Sequence, residues 1–347
     1  MNFLKDNNIK QKLLLLPRFA KKPRSLYGVF RGYVMRGLLN KPFLRSLELN
    51  ITPHCNISCE VCYASKYIQP NEKIMSVEEY RDLWRQAKKL GAFGVHIIGG
   101  EPTLRGDLFD IISVFEPEKY LISIVTNGVN VNEKLIKDLS RVKLFNMCIS
   151  LDADNEKEND KIRGKGSFER TLKVIELCEK HNIIVEISFT LCKSSMKMFE
   201  RMLAFTRSKG ILLGCSTYSP TGRGKEVYDE CLGEEEWEIL RKNFNVLRTD
   251  FSHTFKGVGC PGGTEKLCIS PYGDVQTCAI NPISFGNIRK EPLEDIWRFI
   301  HNECSYYHKN RKYPRCVVSW DKEYQEKILK PSSSFPVNPV KYRELIQ

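Results

Sequence analysis

Residues 46–62 read "SLELNITPHCNISCEVC". In the first half, Leu47, Leu49 and Ile51 alternate with Ser46, Glu48 and Asn50, the period of a strand with one buried face. The second half sets Cys55, Cys59 and Cys62 at C-x3-C-x2-C spacing. Thiolates this dense bind zinc or an iron–sulfur cluster. A closed structural zinc site takes four ligands, and His54 is available as the fourth. Yet the group directly follows a strand, where α/β folds gather their chemistry. Three cysteines on a cube of four irons leave one iron open to a small molecule. His54 is then read as a strand-end hydrogen-bonding residue.

Working outward, five more apolar, β-rich runs follow: 94–100, 120–126, 144–151, 183–191 and 211–218. Helical patterns separate them. One opens at Ser76 with Glu79 three residues on, a capping box. Others cover 107–115, 132–140, 167–181 and 195–208. Six β–α units imply a parallel sheet, and six are too few for a closed eight-fold barrel. The expected fold is α/β, a partial (β/α)6 barrel over 46–225. A linking helix region (226–255), a small cysteine-bearing domain (256–320) and an extended C-terminal tail (321–347) follow.

The whole chain carries a net charge of +12, but residues 1–45 hold eleven Lys/Arg against one Asp. The body is therefore nearly neutral and the basicity belongs to an N-terminal arm. On a helical wheel, Leu26, Val29, Phe30, Tyr33, Val34 and Gly37 share an arc opposite Arg24 and Arg31. Such an arm suits an anionic membrane surface. The plainer reading packs its apolar arc on the barrel and leaves the basic face in water. The longest purely apolar run, Leu13–Leu16, is far short of the roughly 20 residues of a membrane span. The opening residues lack a signal-peptide pattern. A cytosolic protein is expected, held at the inner face of the membrane if the arm binds lipid. Thirteen cysteines in that compartment are thiols rather than disulfides. Cys148, Cys178, Cys192, Cys215 and Cys231 are scattered and read mostly as small buried hydrophobes.

Taken in order, the motifs resemble the radical SAM superfamily. The three-cysteine spacing after the first strand is its signature. "GGEP", Gly99, Gly100, Glu101 and Pro102, is similar to the second-strand motif whose backbone and glutamate bind the cofactor's amino group. "TNG", with Thr126 and Asn127, resembles the third strand end. "SLDA", with Ser150 and Asp152, resembles the fourth-strand motif near ribose and carboxylate, and "IRGKGSFERTL", with Arg163, the segment after it. "PTGRG", with Pro220 and Gly222, resembles the sixth strand end near adenine. Val61 departs from the aromatic residue that many members carry before the third cysteine. The resemblance implies S-adenosylmethionine chelated to a [4Fe–4S] cluster, its reductive cleavage to methionine and a 5′-deoxyadenosyl radical, and hydrogen abstraction from a substrate. A reducing partner such as flavodoxin or ferredoxin is implied too.

"CPGGTEKLCISPYGDVQTC", 260–278, resembles the start of a SPASM domain, and Pro271 with Gly273 reads as a hairpin turn. The dense cysteine set that completes two clusters in full SPASM domains is missing. Five cysteines remain, enough for one four-thiolate cluster. The resemblance therefore implies a shortened, twitch-like domain with one auxiliary [4Fe–4S] cluster on Cys260, Cys268 and Cys278, completed by Cys316 or Cys304. A zinc ribbon would want paired C-x2-C knuckles, which are absent.

Substrate is less legible. Relatives of this type modify ribosomally made peptides, oxidise sugar alcohols or act in haem synthesis. A peptide leads. The short N-terminal region leaves no room for a leader-binding winged helix, which counts against it. A lipid-linked intermediate, suggested by the arm, and a soluble sugar or other small molecule stand behind it. Nucleic acid is not expected as a partner, and a non-catalytic zinc protein is the distant alternative. No spacing selects a catalytic acid or base among Tyr218, Asp152 and Glu186.

Overall fold

Strand β1 (Ser46–Asn50) lies near the middle of the main sheet. Helix α1 (Pro23–Gly32) precedes it. The chain then alternates through helix α2 (Val77–Leu90), strand β2 (Gly94–Ile98), helix α3 (Leu108–Val114), strand β3 (Leu121–Thr126), helix α4 (Glu133–Arg141) and strand β4 (Asn146–Ser150). Helices α5 (Glu156–Arg163) and α6 (Ser167–Lys180), strand β5 (Val185–Leu191), helix α7 (Phe199–Ser208) and strand β6 (Leu212–Thr217) complete six β–α units. Helix α8 (Glu234–Lys242) and strand β7 (Arg248–Thr249) follow. This computed structural model describes residues 17, 19–65, 68–69, 71–224, 227–242, 248–249, 260–302, 316–330 and 340–341.

Strands β1 to β7 run parallel in sequence order. The register pairs Leu47 with Val95 and Leu49 with Ile97, so their side chains enter the buried layer together. Ile124, Ile149 and Ile187 extend that layer. Trp84 on α2 packs edge-on to Phe115 and Tyr120, with centroids at 5.6 and 4.9 Å. Local chemistry agrees with several boundaries. Ser76 and Glu79 form the expected capping box, and Gly91 ends α2 at φ +112°. Asn132 and Asn155 cap α4 and α5.

The late cysteine region joins this sheet. Strand β8 (Lys266–Ile269) pairs in parallel with β1, and strand β9 (Asp274–Gln276) returns antiparallel through the expected turn, with Gly273 at φ +90°. Strand β10 (Ile283–Ser284), strand β11 (Gly286–Asn287, which extends the hairpin) and helix α9 (Leu293–Asn302) follow. Ten strands thus form one sheet, open at both ends among the described residues. No helix of the described residues is long and apolar enough to cross a membrane.

Three expectations change. Within the expected tail, Lys322–Tyr324 and Gln325–Leu329 are helical, and Tyr324 and Leu329 are buried, while 331–339 lie outside the described residues. Helix α5 was not anticipated, because its sequence "EKENDKIR" offers no apolar stripe. The arm packs on the barrel, but by the face opposite the apolar arc that the plainer reading would have buried. Ser25, Gly28 and Gly32 are buried, whereas Leu26, Phe30 and Tyr33 face outward. A Cβ on Gly28 would lie 2.4 Å from the Phe93 ring, so only a small-residue face lets the helix approach this closely.

Glu265, fully buried, ties arm to sheet through Arg36 at 3.3 Å and Arg45 at 3.6 Å. Removing one partner from a buried ion set strands the others. Glu265→Ala should therefore cost about 3–5 kcal/mol of stability, read from urea unfolding. A loss below about 1 kcal/mol would mean that the arginines find water instead.

Candidate active site at the carboxyl ends of the strands

The cysteine loop leaves β1 and is held from several sides. Gly100 N–H donates to the Thr52 carbonyl (2.7 Å) and Glu101 N–H to the His54 carbonyl (2.8 Å), so the loop starts as an extension of the β1–β2 pairing. A Cβ on Gly100 would stand 2.1 Å from the His54 carbonyl oxygen, so the glycine is required by the loop's own backbone. Arg105 closes the loop at both ends, donating to the carbonyls of Ile51 (2.7 Å) and Met75 (2.9 Å). Asp107 orients that guanidinium with two contacts at 2.7 Å. On the hairpin side, Met75 N–H meets the Pro271 carbonyl and Gln69 N–H meets the Tyr272 hydroxyl. At the far end Gly222, at φ +62°, lies against the Cys62 and Tyr63 carbonyls, and Arg223 donates to the carbonyls of Cys62 and Cys59.

Glu101 is fully buried behind the cavity wall. Its Oε1 accepts from Thr103 N–H (3.2 Å), Thr103 Oγ1 (2.6 Å) and Thr126 Oγ1 (2.7 Å). Its Oε2 accepts from Asn127 N–H at 2.8 Å. The carboxylate thus locks the second strand end to the third, and Oε2 retains capacity for one more donor. Asn127 reaches back to the loop, donating to Asn56 (2.8 Å) and approaching the Cys55 sulfur at 3.6 Å. Asp152 is likewise withdrawn. It accepts from Thr190 N–H at 2.9 Å and pairs with Arg163 Nε at 2.7 Å. Burial opposes the Arg163 charge, but Asp152 and the Cys59 and Cys62 sulfurs hold its pKa above the ordinary value.

One cavity of about 320 Å³ joins these pieces. Cys55, Cys59, Cys62, Gly99, Gly100, Thr126, Asn127, Ser150 and Arg163 line it. Cys260, Cys278 and Cys316 line it too. Pro102, Pro220 and Gly222 do not; the last packs on the cysteine loop. Cys268 is buried beside Cys278, opposite Glu48 in the β1–β8 register. Cys304 lies outside the described residues. Of the scattered cysteines, Cys178, Cys192 and Cys231 are buried as expected, but Cys215 on β6 faces the cavity. Val61 packs with Cys192, Tyr218 and Cys231. Of the three acid–base candidates, only Tyr218 lines the cavity, and its hydroxyl donates to the Gly224 carbonyl at 2.6 Å. Glu186 accepts from Asn146 at 2.9 Å.

Sequence reasoning missed the ion pair between the two cysteine groups. Lys266 on β8 donates to Glu48 on β1 at 2.7 Å, and Glu48 also accepts from Ala279 N–H at 3.1 Å. Both line the cavity, and the Lys266 charge acts on Cys260, Cys268 and Cys278. Arg105 and Arg223 were missed as well. Only their places inside "GGEPTLR" and "PTGRG" could have flagged them.

The residues suit iron–sulfur chemistry. Burial, then neighbouring sulfurs, pushes the Cys260 thiol well up, and burial drives Cys278 to about 12 and Cys59 to about 11. Each metal bond must therefore displace a proton. Among the described residues no three His, Cys, Asp or Glu converge closely enough for a single ion. Sulfurs arranged around a cubane need not.

Comparisons with known proteins agree. The radical SAM superfamily pattern matches residues 49–206, and an iron–sulfur cluster-binding SPASM domain matches 260–317. The chain belongs to the radical SAM superfamily and is an enzyme whose cofactors are S-adenosylmethionine and [4Fe–4S] clusters. It is similar to mycofactocin maturase MftC of Mycolicibacterium smegmatis, 26% identical over 76% of this chain and 72% of that protein. It is also similar to the AdoMet-dependent heme synthase of Methanosarcina barkeri, 26% identical over 76% of this chain and 84% of that one. In fold it resembles Streptococcus suis SuiB bound to precursor peptide SuiA, with a TM-score of 0.60, 18% identity, and 82% and 70% of the two chains covered. It also resembles anSMEcpe with bound AdoMet and a Cp18Cys peptide, with a TM-score of 0.57, 18% identity, and 76% and 81% covered.

Gly100→Val should displace the cysteine loop and lower bound iron to about half, the load of one cubane of two. Gly106→Ala, with open space around its Cβ, should leave it unchanged. Lys266→Met removes a buried cation beside the late cysteines. The midpoint potential of one cluster should fall in an EPR-monitored titration while the other holds, because net charge sets cluster potentials.

Proposed function

We propose that this enzyme binds S-adenosylmethionine at a cluster held by Cys55, Cys59 and Cys62, and modifies a side chain of a ribosomally made peptide. Cys260, Cys268, Cys278 and Cys316 hold one auxiliary [4Fe–4S] cluster in this reading. The observation that carries it is the single cavity faced by both cysteine groups. With four thiolates, these residues would leave such a cluster no open iron, and it would supply an electron acceptor. A flavodoxin- or ferredoxin-type protein supplies reducing equivalents to the first cluster.

When bound, the first cluster and S-adenosylmethionine together supply a 5′-deoxyadenosyl radical that takes a hydrogen atom from substrate. The protein's part is binding, positioning and exclusion of water. Gly99 and Gly100 present backbone at the cavity wall, and Glu101, buried behind it, fixes the second and third strand ends that form the wall. Ser150 and Thr126 face the cavity as short polar groups, and Arg163, fixed by Asp152, offers a cation for a carboxylate. Leu191, Trp237, Leu240 and Ile280 add apolar wall that keeps water from the reacting atoms.

The cavity opens to the surface and is lined by both cysteine groups, so a substrate would share it with the cofactor. That suits a substrate that inserts one side chain and keeps its backbone outside. Among the similar proteins, SuiB is bound to a precursor peptide and MftC is a maturase, which supports this reading. The arm, by contrast, contacts the opposite ends of the strands through Phe93 and Lys119, so it gives no support to a lipid entering the cavity.

The triple variant Cys55→Ala/Cys59→Ala/Cys62→Ala, purified without oxygen, should keep about half the iron and form no 5′-deoxyadenosine under reduction. Unchanged iron and unchanged 5′-deoxyadenosine would refute the assignment. Deuterium passing from a labelled candidate peptide into 5′-deoxyadenosine tests the substrate class separately.

A further inference from the structure

The outer face of the N-terminal arm remains unexplained by the reaction. Ten large apolar side chains are exposed among the described residues, and six of them, Leu26, Tyr27, Phe30, Tyr33, Leu38 and Leu39, fall within fourteen positions. Phe30 is 66% exposed and Leu38 68%. These residues lie on α1 and on the π-helical segment Tyr33–Leu38 that continues it. At 100° per residue, Leu26, Phe30 and Tyr33 stand opposite the inward Ser25, Gly28 and Gly32.

This face is not loose. Ser25 Oγ donates to the Phe93 carbonyl at 3.2 Å, and Lys22 Nζ, buried, donates to the Lys143 carbonyl at 2.9 Å. Arg36 pairs with Glu265. The contacted residues immediately precede β2, β4 and β8, so the helix crosses the amino ends of the strands. The cavity lies at their carboxyl ends, roughly 15–20 Å away for strands of this length.

We propose that this face is a docking surface for an anionic lipid membrane, on which the enzyme lies with its cavity turned away from the lipid. Aromatic rings and leucines enter the interfacial layer while cations meet the headgroups. Lys21, Arg24 and Lys41 are exposed around the patch, and Arg31, half-buried, stands over the Phe43 ring. No acidic residue occurs between residues 7 and 45. Glu116, on the neighbouring loop, is paired with Lys88 and Lys119. Charge also argues against other occupants. A second copy meeting this face by two-fold symmetry would bring like cations together. Residues 1–16 carry three lysines against one aspartate, so they would add to the charge rather than offset it. A nucleic acid would answer the cations but offers no hydrocarbon to Leu26, Leu38 and Leu39. The proposal is independent of the reading of the cavity and fails separately from it.

The test is flotation of the full-length, cluster-loaded enzyme with vesicles of equal parts phosphatidylglycerol and phosphatidylcholine. Pure phosphatidylcholine vesicles, a single-stranded RNA oligonucleotide and size-exclusion chromatography run alongside. The enzyme should float with the anionic vesicles, not with the neutral ones, and high salt should weaken the association. Tyr27→Ser/Phe30→Ser/Tyr33→Ser should reduce the bound fraction at least roughly tenfold with 5′-deoxyadenosine formation unchanged. Lys21→Gln/Arg24→Gln, which leaves the apolar face intact, should weaken it too. No flotation of the parent protein, equal flotation of the serine variant, binding to RNA in place of vesicles, or a parent dimer that the serine variant converts to monomer would each overturn the proposal.

Discussion

The site depends on a backbone-to-backbone contact. The loop that carries Cys55, Cys59 and Cys62 lies so close to the end of β2 that the His54 carbonyl occupies the place of a Cβ at residue 100. A second glycine, Gly222, accepts the loop's other end in the same way. Between them, the loop bearing the three sulfurs is held by main-chain hydrogen bonds and by two arginines, Arg105 and Arg223. Such placement is stiff, because the bonds tie the loop to several different elements at once. A cluster held by three sulfurs alone would need that stiffness, since its fourth position must stay free for another molecule.

Around this contact the buried charges are paired. Asp152 holds Arg163, Glu48 holds Lys266, and Glu265 holds Arg36 and Arg45. Glu101 is satisfied by hydroxyls and amides. Buried pairs contribute little net stability, because desolvation offsets attraction. Their effect here is positional. Each one joins two different elements, and two of them present a cation at the cavity wall without leaving it mobile. Lys266 is the more informative, for it is held at the cavity wall beside the late cysteines by Glu48.

The strands and most helices were legible because their apolar residues keep a strict period and their ends carry capping residues. Ser76 with Glu79, and Pro271 with Gly273, marked boundaries that the structure repeats. Helix α5 escaped because it buries only Asn159, so no stripe exists to be read. The arm was misjudged for a related reason. Two readings stood, the arc on a membrane or on the barrel; small residues let the helix approach the barrel by another face and left the arc outside. For the site, the cysteines and strand-end motifs were legible as residue types. Their division of labour was not, since Glu101, Asp152 and Gly222 stand behind the surface that Ser150, Asn127 and Arg163 present.

By itself, then, the amino-acid order settles the repeating β–α pattern, the cluster chemistry and the superfamily, because periodicity and cysteine spacing are local properties of the chain. The folded structure alone brings Cys260, Cys278 and Cys316 into the same cavity as Cys55, and pairs Lys266 with Glu48 across 218 positions. That arrangement follows from β8 docking on β1, a pairing of edges distant in the chain that no local pattern encodes.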